Sequence, residues 1–275
     1  MSLNLNGSVV LAGAGKMGAA LLEGWLDRGL DPASIVIQEP NLSGAAQDLA
    51  SKHGIKAVAD LAPLDTPPAV IVVAVKPQAM DDVFPGLAKI AGPETVVVSI
   101  AAGKTLASFE RHLPPGSAVV RAMPNTPAAI GRGITGAVAN VHATAAQKQA
   151  CESLLGAVGP VVWVGDESLI DAVTAVSGSG PAYVFLLAEA LAEAGVAAGL
   201  DQATAVQLAR ATLSGSGELL NQSPLDAETL RRNVTSPGGT TAAALAVLMR
   251  EGSGLKELMT EAVLAAKKRG RELGR

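Results

Sequence analysis

Hydrophobic positions change their spacing along the chain, and the changes divide it in two. Residues 8–12 form a short apolar run that ends in a glycine turn. The stretch 16–28 then places Met17, Leu21, Leu22 and Trp25 on one helical face, with Gly29 where a helix closes. Residues 34–38 are β-branched and strand-like, and 43–53 read as a helix closed by Gly54. Residues 70–75 are continuously apolar over a strand's length, as in a parallel strand buried on both faces. A helix over 78–90, a buried strand over 95–100, a short helix over 105–112 and a strand over 118–122 follow. Two further strand candidates, 134–140 and 161–164, flank a helix at 145–158 and are placed to extend the sheet at its edge. Strands alternating with helices of this length predict right-handed crossovers and a doubly wound parallel sheet.

Beyond about Gly165 the strand pattern stops. Residues 169–176 have helical spacing, and Ser177-Gly-Ser-Gly180 breaks it. Pro181 then takes the first helical position, and an apolar helix runs to about 198. Asp201 is the N-cap of the next helix, to about 220, and helices follow at 226–233, 241–250 and 255–273. The expected organisation is an α/β domain over 1–165 and an all-helical domain over 166–275.

Gly13-Ala14-Gly15-Lys16-Met17-Gly18 is G-x-G-x-x-G, directly after the first strand and opening the first helix. The first glycine permits the tight turn, the second lets backbone approach a pyrophosphate, and the third allows close helix–sheet packing. The helix N-terminus adds unpaired N–H groups and a favourable dipole. In this setting the motif predicts a Rossmann-type, dinucleotide-binding domain. Glu39 lies about 20 residues further on, at the end of the second strand, where an acidic residue bonds the ribose hydroxyls of NAD. Residues 38–43 contain no cation to receive a 2′-phosphate, so this position leans toward NAD; the other reading is a solvent-facing carboxylate.

Ala74, Val75, Lys76 and Pro77 end one strand and Ala101 ends the next, at the sheet edge where ligands bind. Lys76 there reaches a cofactor phosphate or ribose, or is a surface lysine. Small residues at Ala101-Ala-Gly103 let a flat nicotinamide lie against backbone. Asn125, between Pro124 and Pro127, sits in a rigid loop at the same edge. In the helical half, Ser177, Gly178, Ser179 and Gly180 open one helix, and the segment holding Ser236, Gly238, Gly239, Thr240 and Thr241 opens another. Both put hydroxyls and free N–H groups at a helix start, which suits either capping or a small carboxylate.

Composition narrows the function. With 275 residues, 49% hydrophobic and a net charge of −4, the chain is long and apolar enough to bury a large core and not a disordered segment. Its single cysteine excludes a disulfide framework and favours a reducing compartment. Six aromatic residues and a negative charge argue against a nucleic-acid surface. The longest uninterrupted apolar runs, 69–75 and 242–249, fall short of the ~20 residues a bilayer requires. No basic stretch precedes an apolar segment near Met1, so a cytoplasmic protein with no membrane partner is expected. No Ser–His–Asp, phosphate-transfer or metal-ligand spacing occurs, and Cys151 lies in a helix pattern as a small packing residue. No lysine lies between Asp166 and Leu255, which counts against two-domain dehydrogenases that use a helical-half lysine as acid or base.

Taken in order, GAGKMG at 13–18, AVKPQ at 74–78, AAG at 101–103, RAMPNTPAAIGRGITG at 121–136, SGSGPAYVF at 177–185 and NVTSPGGTT at 233–241 closely resemble the pyrroline-5-carboxylate reductases. The resemblance implies reduction of 1-pyrroline-5-carboxylate to L-proline by NADP(H) or NAD(H). It also implies a helical domain that interlocks two subunits, with dimers assembling into a decamer. By motif, 13–18 and 74–76 would hold the cofactor. Ser236, Gly238, Gly239, Thr240 and Thr241 would receive the substrate carboxylate, with the Thr241 hydroxyl near the imine nitrogen. Glu39 departs from the family's usual NADPH preference, since many members carry Arg, Ser or Asn there. Two rival readings are another NAD(P)-dependent imine or hydroxyacid dehydrogenase and a non-catalytic dinucleotide-sensing module. The first calls for a lysine or aspartate facing the nicotinamide, and the second has no need of both helical-half glycine breaks.

Overall fold

The computed structural model describes residue 3 and residues 5–274. They divide into two compact units: one runs through Gly178 and also takes the chain from Ala266 onward, and the other is Ser179–Ala265.

The first unit is built on an eight-stranded sheet of order β3-β2-β1-β4-β5-β6-β7-β8. The strands are β1 (Val9–Ala12), β2 (Ile35–Gln38), β3 (Lys56–Val58), β4 (Val70–Val73), β5 (Val96–Ser99), β6 (Ala118–Met123), β7 (Thr135–Ala139) and β8 (Val161–Trp163). Side chains alternate across this sheet, and both faces are buried, which is why the central strands are apolar without interruption. Val9, Leu11, Val70, Val72, Val96 and Val98 face one core, packed under α1 (Lys16–Asp27), α2 (Gly44–His53) and α5 (Ala145–Leu155). Val10, Ala12, Ile71, Val73 and Val97 face the other, under α3 (Met80–Ile90) and α4 (Leu106–Glu110). Trp25 of α1 is fully buried and donates its Nε1–H to the Leu154 carbonyl of α5 at 2.9 Å, so its one polar atom is satisfied. Cys151 belongs to the same core, where burial pushes its thiol up to about 12; it is a packing residue, as the helix pattern indicates.

Two features differ from the sequence expectation. The edge strand β3 was not expected: it is three residues long, largely exposed and begins at a lysine, so it carries no hydrophobic pattern. Strand β7 runs antiparallel to β6, with Val120 opposite Ala139 and Met123 opposite Gly136. The connection contains only a short 3₁₀ turn, Thr126–Ile130, too little chain for a crossover back to the start of the sheet, so the chain reverses.

Helical character resumes with α6 (Ile170–Val173), which packs with the sheet; a Cβ on Gly136 would press into Val173. The second unit contains α7 (Gly180–Ala197), α8 (Gln202–Gln222), α9 (Ala227–Asn233), α10 (Thr240–Leu248) and most of α11 (Leu255–Leu273). Asp201 caps α8 by accepting the Thr204 N–H at 3.0 Å, as its sequence position indicates, and Asp226 caps α9 through Thr229 at 2.7 Å.

Candidate active site

The glycine loop joins β1 to α1, and each glycine has a different physical reason. Gly13 has φ +89°, and a Cβ on it would lie 2.7 Å from the Ala74 carbonyl carbon at the end of β4. A Cβ on Gly18 would collide with the Gly13 carbonyl oxygen. Gly15 differs: nothing lies within 4 Å of its added Cβ, so the loop is open on that side. Gly15 is also the N-cap of α1, which no side chain caps and whose first turn holds no acid. Open backbone N–H groups, the dipole and the clear face at Gly15 fit the pyrophosphate of a dinucleotide.

Neighbouring strands fix the loop. The Gly13 N–H donates to the Gln38 carbonyl at 2.9 Å, and the Ala74 N–H donates to the Ala12 carbonyl at 2.7 Å. Glu39, half-buried, accepts the Ala14 N–H on Oε2 at 3.1 Å and the Asn41 N–H on Oε1 at 3.1 Å. Its carboxylate therefore stands against the glycine loop. At the adjoining strand end, Ala74 and Val75 are half-buried, and Lys76 is exposed ahead of the 3₁₀ turn Pro77–Ala79. Ala101 is buried, with its N–H on the Ser99 hydroxyl at 3.3 Å. Asn125 uses both ends of its amide on backbone: Oδ1 accepts the Ile134 N–H at 3.0 Å, and Nδ2 donates to the Ser177 carbonyl at 3.2 Å.

The glycine-serine stretch at 177–180 is not the open break that its composition suggests. Residues Thr174–Gly178 form a π-helical turn, so helical structure runs nearly continuously from Glu167 to Ala197. Thr174 and Ser177 return their hydroxyls to the Ile170 and Val173 carbonyls at 2.8 and 3.0 Å, a back-bonding that competes with the backbone N–H groups and accompanies the widened turn. Ser179 and Gly180 complete the passage into α7.

The second glycine break is an open turn. Gly238 has φ +69°, and a Cβ on Gly239 would lie 2.5 Å from the Ser236 hydroxyl. Gly239 is the extended N-cap of α10, and no side chain caps it. Thr240 and Thr241 occupy the first two helical positions; Ser236, Gly238 and Thr240 are exposed, and Thr241 is half-buried. This turn therefore presents hydroxyls beside unsatisfied N–H groups.

The helical run Glu167–Ala197 is long and apolar enough to cross a membrane by length and composition, with only 11% of its most apolar window buried. Counting uninterrupted apolar residues missed it, because scattered polar residues divide the run. Its exposed face includes Val184, Phe185 and Leu186, with Phe185 62% exposed. An apolar area of this kind marks an interaction surface.

Comparison with known proteins supplies the family. Residues 167–273 match the model for pyrroline-5-carboxylate reductase dimerisation, and residues 8–103 match that for NADP oxidoreductase coenzyme F420-dependent proteins. The pyrroline-5-carboxylate reductase of Pseudomonas aeruginosa is 42% identical over 265 residues, covering 96% of each chain. This chain belongs to the pyrroline-5-carboxylate reductase family. The Synechocystis reductase is 41% identical, covering 96% of this chain and 97% of that one. The solved pyrroline-5-carboxylate reductase of Coxiella burnetii superposes with a TM-score of 0.91 at 36% identity, covering 98% and 100% of the two chains. The Plasmodium falciparum enzyme, solved with NADP bound, gives 0.79 at 27% identity, covering 98% and 99%.

One cluster in the first unit escaped the sequence reading. Arg121 of β6 is buried and pairs with Glu167 at 2.9 Å and Asp171 at 3.9 Å. The same Glu167 oxygen accepts the Leu106 N–H at 2.7 Å, which anchors the chain that leaves Ala101. The available signal was a lone arginine inside an otherwise apolar strand.

Proposed function

We propose that this chain reduces the cyclic imine 1-pyrroline-5-carboxylate to L-proline with NADP(H) or NAD(H). The match to the Pseudomonas aeruginosa reductase along nearly the whole of both chains carries the reading. When bound, the reduced dinucleotide supplies hydride to the imine carbon while the nitrogen holds a proton. Gly13, Ala14, Gly15, Lys16, Met17 and Gly18 receive its pyrophosphate, and Glu39 meets the adenosine ribose. Ala74, Val75, Lys76, Pro77 and Ala101 border it, and Asn125 orders the loop beside it. Ser236, Gly238, Gly239, Thr240 and Thr241 bind the substrate carboxylate through the uncapped N-terminus of α10. The Thr241 hydroxyl orients the imine nitrogen or relays a proton to it, and the Ser177–Gly180 segment lines the substrate side. A protonated imine is already electrophilic, so alignment and exclusion of water are the chain's main tasks, and no strongly shifted acid is needed.

In this proposal residues 1–165 serve the dinucleotide, and residues 166–275 serve the substrate and dimerisation. The match of 167–273 to a dimerisation family supports a homo-oligomer in which a second copy covers the exposed apolar face of α7. Interlocked dimers assembling into a decamer, in the cytoplasm, complete the reading. The test is oxidation of NADH and NADPH with 1-pyrroline-5-carboxylate, beside a plain 2-keto acid. Oxidation with the imine alone is expected; turnover of the keto acid alone would replace the reading with a hydroxyacid dehydrogenase.

A further inference from the structure

Register puts Glu39 beside the glycine loop rather than merely near it in sequence. Gln38 pairs with Ala12 across parallel strands, so the next residue of β2's exit, Glu39, is level with Gly13. Its carboxylate is held at both oxygens by backbone N–H groups, from Ala14 and Asn41. Those two bonds fix its position against the loop.

The charge around it is unbalanced. Residues 40–43 are Pro, Asn, Leu and Ser, and Glu39 makes no ion pair among the described residues. Lys56 of the neighbouring strand is level with Val36, three residues back along β2, which is about 10 Å away. Lys16 is the cation within the motif, and it opens α1 beyond Gly15 with an exposed side chain. A carboxylate at this position accepts hydrogen bonds from the two free hydroxyls of an adenosine ribose. A 2′-phosphate there brings two negative charges against it, and residues 38–43 hold no arginine to receive them.

We propose that Glu39 selects the cofactor and that this chain takes NADH in preference to NADPH. The inference rests on the dinucleotide reading of the glycine loop, and not on the identity of the imine.

The test is direct binding to the full-length assembled protein, with NADH and NADPH titrated separately against nicotinamide fluorescence at low and high salt. Wild type, Glu39→Gln and Lys16→Ala are compared. The wild type binds NADPH more weakly than NADH by on the order of tenfold or more at low salt, and the gap narrows at high salt. Glu39→Gln closes most of the gap by tightening NADPH, and Lys16→Ala weakens both dinucleotides alike. Equal or tighter NADPH binding by the wild type overturns the proposal. So does a Glu39→Gln variant that weakens both cofactors equally, since the residue would then only brace the Ala14 turn. A selective loss of NADPH in Lys16→Ala overturns it as well, by making Lys16 the phosphate partner. Failure of both dinucleotides to bind defeats the cofactor reading itself, and this inference with it. A clear NADH preference without reduction of 1-pyrroline-5-carboxylate upholds Glu39 and defeats only the substrate assignment.

Discussion

The Arg121 guanidinium lies 2.9 Å from a Glu167 carboxylate oxygen that also accepts the Leu106 N–H. One carboxylate thus ties a buried strand charge to the loop leaving β5. Arg121 keeps only 7% of its side chain exposed, against 29% for Glu167, so the two ends of the pair are not equivalent. Glu167→Ala leaves a buried guanidinium with the more distant Asp171 alone and should cost about 3 kcal/mol. Arg121→Met leaves the more accessible carboxylates and should cost less. Chemical denaturation of both variants measures this order, and the reverse order would mean that Asp171 is the principal partner.

Gly15 and Gly18 of the motif should separate in their effects. Gly15→Ala meets open space and a φ of −68°, so stability should stay within about 0.5 kcal/mol while dinucleotide affinity falls on the order of tenfold or more. Gly18→Ala meets the Gly13 carbonyl and should lose about 1–3 kcal/mol of stability as well as affinity. Thermal unfolding alongside fluorescence titration distinguishes them. Undiminished affinity in Gly15→Ala would show that the pyrophosphate does not approach there.

Thr241→Ala should lower turnover about 10²-fold with dinucleotide affinity unchanged, whereas Thr241→Ser should retain most activity by keeping the hydroxyl. Steady-state kinetics with the imine decides it. A rate unchanged by the alanine would remove Thr241 from the chemistry.

Acid should unlock the caps of α8 and α9. Thr204 and Thr229 donate to Asp201 and Asp226 and hold both carboxyls below their usual 3.8. A depressed folded value means that the stabilisation is complete above the unfolded value and is lost as pH falls through the folded one. The Tm difference between wild type and the Asp201→Ala, Asp226→Ala double variant should be constant near neutrality and shrink below about pH 3.8. A difference that stays constant into that range would leave the caps without an electrostatic part.

Much of the fold was legible because burial on both faces forces unbroken apolar strands, as at Val70–Val73 and residues 96–98. Edge strand β3 was not legible, since Lys56 and its neighbours meet solvent and need no pattern. The 177–180 stretch misled for a related reason. Glycine and serine report weak intrinsic helicity, but tertiary context overrides it here, with Asn125 donating to the Ser177 carbonyl of the π-helical turn.

By itself the sequence determined the buried central strands, the glycine loop, the helical second half and the family resemblance, because each depends on local periodicity or on contiguous motifs. Tertiary structure decided what depends on residues far apart in the chain. It reversed β7, joined Arg121 to Glu167 and set the Glu39 carboxylate against the Ala14 N–H. The physical reason is that hydrogen bonds and ion pairs reach only about 3–4 Å, so their partners emerge once strand register brings them side by side.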